Sequence, residues 1–245
     1  MKKSSKIHFR LLIYAVILHL FSLICSVYRD TYRWANGYRN INYWILLFSW
    51  WCAQTSLITI IYFIRRAFRR TPPNYFDKVF SLIVINANII ATSMFTIGAI
   101  LGTLPLPKSS EIINLFGWKV SSRAFWWFYS VIWHYLAPLL TLAYFSRRKV
   151  NLENTYSARR KLFFYSFLHP LIYFGAVLFR PLIPGSQNYP CSKQLPHYPY
   201  FFFEWVGMRG MEQLFWTALV VFFWMLIFWS SALLFLRFTL RKTLK

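Results

Sequence analysis

The 245-residue sequence holds only 6 acidic residues, 3 cysteines and 8 glycines, and charged residues of either sign make up 14% of it. A soluble domain is usually about a quarter charged and close to half apolar, whereas this chain is 58% hydrophobic and 22% aromatic. In water a monomer of this size would expose large apolar patches, which excludes an ordinary soluble enzyme. Disorder is excluded too, because it needs low hydrophobicity. So few cysteines do not make a disulfide framework; a bridge between Cys25 and Cys191 is the one pairing that topology leaves open. The sequence lacks a glycine-rich nucleotide loop, a zincin motif and a Gly-x-Ser-x-Gly elbow. It also lacks ligands at zinc spacing, so neither a metal nor another cofactor is expected.

What the sequence does have is long apolar runs. A helix needs about 20 apolar residues at 1.5 Å rise to cross a ~30 Å hydrocarbon core. Six runs have that length, at about 11–28, 43–64, 79–104, 125–145, 162–183 and 214–238. None alternates with the two-residue period of a barrel strand, and backbone in hydrocarbon must satisfy its own hydrogen bonds. The expected fold is therefore all-α: one polytopic membrane domain over 1–245, with six transmembrane helices.

The basic residues sort by position. Lys and Arg number 28, and 19 of them flank the runs on one side, in the N-terminal tail, the second and fourth connections and the C-terminal tail. The positive-inside rule then places both termini in the cytoplasm. This also accounts for the net charge of +22, so no nucleic-acid partner is expected. The first run resembles the core of a signal peptide, but no small-residue cleavage site follows it, and it is read as the first span.

Polar residues at bilayer depth are costly unless they face a partner or a cavity. In the second run Ser49, Cys52, Ser56 and Thr59 share one helical face, with Gln54 and Thr55 beside them. His134 lies nine residues into the fourth run and Cys52 nine into the second. Both runs start on the outer side, so both side chains lie about 13–14 Å deep at helical rise. Pro138 cannot donate to the carbonyl of His134, leaving an acceptor free and favouring a local kink. Asn86 and Asn88 open a polar face that Thr92, Ser93 and Thr96 continue. His19, with Ser22 one turn on, reads as a member of a buried network. His169 precedes Pro170 in the fifth run, and the connection after it is aromatic and proline-rich.

These residues resemble a known family. Trp51-Cys52-Ala53-Gln54-Thr55-Ser56-Leu57 is similar to the Phe-Thr-x-Gln-Ser/Thr-Asn-Leu element of the six-helix family of the androgen-induced protein and its uncharacterised bacterial relatives. Trp133-His134-Tyr135-Leu136-Ala137-Pro138 resembles its His-Tyr-x-x-Pro element. Pro170-Leu171-Ile172-Tyr173 and Tyr198-Pro199-Tyr200-Phe201 resemble its Pro-x-x-Tyr and Tyr-Pro-Tyr-x-Phe elements. Animal members hydrolyse fatty acid esters of hydroxy fatty acids with a threonine nucleophile and a histidine. The resemblance places the histidine at His134 and puts Cys52 where the threonine would stand. It further implies a multi-pass protein of a bacterial cell membrane.

The first expectation is thus an intramembrane hydrolase or binder of fatty-acyl lipids, whose partners are membrane lipids. Cys52 and His134 would be catalytic, and Gln54, Thr55, Ser56, Asn88, His169 and Tyr173 would line the pocket. A thiol becomes a nucleophile once a neighbouring base takes its proton, and Gln54 or Asn88 would donate to the oxyanion. A small-solute transporter, or the substrate-binding subunit of one, would use the same polar face to line a cavity. A non-catalytic scaffold packed against a protein partner is the third reading.

Overall fold

A computed structural model describes residues 3–35, 51–68, 75–100, 112–115, 118–147, 164–165, 168–179 and 230. Apart from residue 230, the sixth run lies outside the described residues, as do Cys191 and the Tyr198–Phe201 element. Five helices carry the architecture: α1 (Lys3–Ala35), α2 (Trp51–Phe68), α3 (Tyr75–Ile100), α4 (Ser122–Arg147) and α5 (Leu168–Phe179). Three stretches, Ile7–Tyr28, Tyr75–Thr96 and Ser122–Arg147, are long and apolar enough to cross a membrane. The described region is almost entirely helical, as the apolar runs require.

Two departures from the expected elements have local causes. Helix α3 begins at Tyr75, ahead of the expected residue 79, and is described to Ile100; residues 101–104 lie outside the described residues. Hydropathy favours a start after Lys78, but the helix begins just beyond the Pro72-Pro73 pair, and Asp77 in its first turn complements the positive end of the helix dipole. The Nε of Arg65, at the end of α2, donates to Asp77 Oδ1 at 3.1 Å and ties the two helices at that point. The second departure is a short antiparallel hairpin, β1 (Ile112–Leu115) and β2 (Trp118–Ser121), between α3 and α4. It pairs Ile112 with Ser121 and Leu115 with Trp118. Strands this short carry too little alternation to stand out beside helix-length runs.

Helix α1 packs against α2 and α4, and α3 packs against α2, α4 and α5. Its buried face presents Ala15, His19, Ser22 and Ser26, while Ile13, Ile17, Leu20 and Ile24 are exposed. Small and polar residues inside with apolar residues outside is the arrangement lipid favours: small side chains allow close helix approach, and polar ones find partners only within the bundle. Two buried clusters fill the interior. One gathers Ala15, Tyr62, Phe63, Val84, Ile85, Tyr144 and Phe145. The other surrounds Trp51 and Cys52 and includes Phe95, Tyr129, Trp133 and Tyr173. The start of α1 meets the end of α4, where His8 Nε2 donates to the Arg147 carbonyl at 3.0 Å. Together with the Arg65–Asp77 pair, this gathers Arg10, Arg65, Arg66 and Arg147 towards one end of the bundle.

Candidate active site: a cysteine–histidine pair at a π turn

Helix α4 is not uniformly α-helical. Residues Ile132–Leu136 form a π turn, in which the Ala137 N–H reaches back to the Ile132 carbonyl. Single π turns inside α-helices occur often at functional sites, and this one contains His134. Pro138 follows directly and has no N–H for the His134 carbonyl. That carbonyl instead accepts the hydroxyl of Thr92, on α3, at 2.7 Å. The acceptor freed by proline is thus satisfied by a neighbouring helix. Thr96, one turn on, bonds the Tyr135 hydroxyl at 3.0 Å, so the threonine face of α3 holds the widened turn from one side.

The imidazole of His134 is fixed at both nitrogens. Nδ1 lies 2.9 Å from the Ser130 carbonyl oxygen. A carbonyl only accepts, so Nδ1 carries a proton. In the neutral ring Nε2 is then a lone pair, and it faces Cys52 Sγ at 3.0 Å. The thiol donates to it. Phe95 stacks on the ring at 4.0 Å between centroids and 16° between planes. Cys52 is 7% exposed and His134 9%, and Cys52 is in no disulfide. The equal depths inferred from sequence position correspond to direct contact. A thiol, an imidazole lone pair and a carbonyl that orients the ring are thus brought into contact, the kind of arrangement nucleophilic catalysis uses.

The other expected pocket residues separate around α2. At about 100° per residue, Ser56 lies about 40° from Cys52, Thr55 about 60° on its other side, and Gln54 about 160° away. Ser56 belongs to His19: its Oγ lies 3.1 Å from His19 Nδ1 and accepts the Trp133 indole N–H at 2.6 Å. The other ring nitrogen of His19 lies 3.1 Å from Thr141 Oγ1, whose proton goes to the Ala137 carbonyl at 3.0 Å. Proton counting fixes this network. Thr141 has given its hydrogen, so His19 Nε2 must donate, and Ser56 must then donate to Nδ1.

Gln54 faces α5, where its Oε1 lies 3.3 Å from His169 Nε2. Trp51 packs on His169 at 4.5 Å and on Tyr173 at 4.8 Å between ring centroids. Asn88 spends both amide hydrogens, on Thr59 Oγ1 at 3.0 Å and on the Val84 carbonyl at 2.8 Å. Thr55 is buried, and its hydroxyl has no partner among the described residues. The structure therefore brings Cys52 and His134 together, and assigns Ser56, Asn88 and the Gln54–His169–Tyr173 group to other neighbours.

The sequence does not single out Ser130 and Phe95, which hold the imidazole, or Thr92, which holds the backbone carbonyl of His134. The Ser130 contact is a backbone one and leaves no compositional signal. Thr92 was visible only as part of a polar face. Among the described residues no three His, Cys, Asp or Glu side chains converge as a metal site would need. No family model matches the chain, and neither the curated proteins nor the solved structures contain a match.

Proposed function

We propose that this protein is an intramembrane hydrolase of fatty-acyl esters, with Cys52 as nucleophile and His134 as general base. The observation that carries this reading is the Cys52–His134 contact at 3.0 Å with Nδ1 held by the Ser130 carbonyl. The Cys52 proton passes to Nε2 as sulfur attacks the ester carbonyl carbon. The tetrahedral intermediate collapses by breaking the bond to the leaving alkoxide, which takes the proton back from Nε2. Water activated by the same nitrogen then hydrolyses the thioester, releasing the fatty acid and restoring the thiol. Thr55, with an unengaged hydroxyl on the adjoining turn, is the donor best placed for the oxyanion. Gln54 and Asn88 have other partners.

The resemblance to the androgen-induced protein family supports a lipid ester as substrate. The remaining apolar runs support six spans, and the basic flanks support cytoplasmic termini in a bacterial cell membrane. Purified protein in detergent should turn over a long-chain acyl nitrophenyl ester. Under single-turnover conditions, intact mass should show an acyl adduct on Cys52 that Cys52→Ala abolishes. Absence of both hydrolysis and adduct, in a folded preparation, would exclude the enzyme. A solute that raised Tm without being hydrolysed would then favour the transporter.

A further inference from the structure

The end of α2 carries two adjacent arginines in opposite circumstances. Arg65 is neutralised: it pairs with Asp77 at 3.1 Å and lies over the Phe76 ring, 5.1 Å from its centroid. Arg66 is half-buried, and its Nε and Nη1 are buried without a hydrogen-bond partner among the described residues.

Helical geometry explains the difference. At about 100° per residue, Arg66 points about 40° from Tyr62 and about 60° from Phe63, between the two side chains that enter the buried aromatic cluster. Arg65 points about 60° to the other side of Tyr62, towards α3 and its Asp77. Arg66 therefore leaves α2 on the side of Tyr62 and Phe63, which belong to the buried aromatic cluster with Tyr144 and Phe145.

A guanidinium stays protonated in proteins, so it cannot escape burial by losing its charge as a lysine does. A buried unpaired charge is too costly to persist without a counter-ion. The described acidic residues are Asp30, at the far end of α1, and Asp77, which Arg65 holds. The positive field at this end is reinforced by Arg10 and Arg147, which are exposed there. An anion would engage these open donors, and the fixed fork of arginine suits phosphate oxygens. Residues at the apolar-to-basic boundary of a span lie at headgroup level.

We infer that Arg66 is the centre of an anion site that holds a phosphate group, supplied by the headgroup of an acidic phospholipid. Free phosphate shares the chemistry and is the other source to be distinguished. The site stands apart from Cys52 and His134 and does not depend on the hydrolase reading.

Thermal unfolding in detergent tests it, with added phosphatidylglycerol, phosphatidylcholine or inorganic phosphate. Phosphatidylglycerol should raise Tm by about 2–4 °C in the wild type and in Arg65→Gln, and leave Arg66→Gln unmoved. Phosphatidylcholine should do little. An equal rise with inorganic phosphate would keep the site but assign it to the soluble anion. The proposal fails if Arg66→Gln keeps the full response, or if phosphatidylcholine matches phosphatidylglycerol. It also fails if phosphatidylglycerol leaves the Tm of the wild type unmoved. Should Arg66→Gln not accumulate, native mass spectrometry of the wild type decides. One phosphatidylglycerol retained against excess phosphatidylcholine supports the site, and none retained overturns it.

Discussion

His134 and His19 both sit in the interior of the same helix bundle, and both meet a residue of α2, yet their surroundings give them different chemistry. His19 is 1% exposed and Ser56 0%. Every donor around that ring has an acceptor, along a path ending at the Ala137 carbonyl in one direction and the Trp133 indole in the other. Such a network is closed, and moving any proton in it breaks a bond elsewhere. The His134 ring has one nitrogen tied to a carbonyl and the other turned to a thiol. A thiol gives up its proton far more readily than a serine hydroxyl. One histidine is thus built into a closed packing network, and the other has its Nε2 turned to a thiol.

The comparison can be broken most sharply at the thiol. Cys52→Ala should lower ester hydrolysis by at least about 10³-fold while changing unfolding free energy by less than about 1 kcal/mol; steady-state rates and denaturant titration read the two separately. His134→Ala should lower the rate by about 10²–10⁴-fold and slow alkylation of Cys52 by a small apolar thiol reagent. Unchanged alkylation would mean that the imidazole does not activate the sulfur.

The reverse pattern is expected at His19. His19→Ala leaves a cavity and strands the Ser56 and Thr141 hydroxyls, at about 2–4 kcal/mol. It should lower Tm strongly while Cys52 alkylation in the protein that remains folded stays near the wild-type rate. If activity vanished without loss of stability, the two histidines would form one working unit.

Thr92→Val removes the hydroxyl from the carbonyl freed by Pro138 and should cost about 1 kcal/mol, with a several-fold fall in rate that Thr92→Ser restores. Rescue by serine separates the hydrogen bond from the volume of the side chain. The smallest effect is expected for Gln54→Leu. Its bond to His169 is long, 3.3 Å, and membrane hydrogen bonds average about 0.6 kcal/mol. A large loss of thiol reactivity in this variant would join the His169 group to the Cys52 site.

How much of this was readable beforehand differs from residue to residue. Cys52 and His134 were found because equal distance from two helix starts is a one-dimensional quantity, and a rise of 1.5 Å per residue converts it into depth. Ser56 was misallotted by the same logic. It shares the face of Cys52, but only about 40° of rotation decides whether it meets α4 beside His134 or α1 beside His19. Gln54 drew notice because a mid-membrane amide needs partners, while its partner on α5 depended on how helices distant in sequence pack. The free carbonyl at His134 followed from Pro138 alone. That Thr92 fills it, and that the turn widens to a π turn, did not.

The sequence by itself determined that the described region is helical, with stretches long and apolar enough to cross a membrane, since apolar length without strand alternation permits little else in hydrocarbon. It also determined which polar residues share a helical face. The tertiary structure decided which polar residues became partners. Period and rise locate a side chain on its own helix, but a hydrogen bond requires the rotation and approach of a second helix. That is why only packing separates the closed network of His19 from the Cys52–His134 pair, and why only packing leaves two Arg66 nitrogens without partners among the described residues, beside a neutralised Arg65.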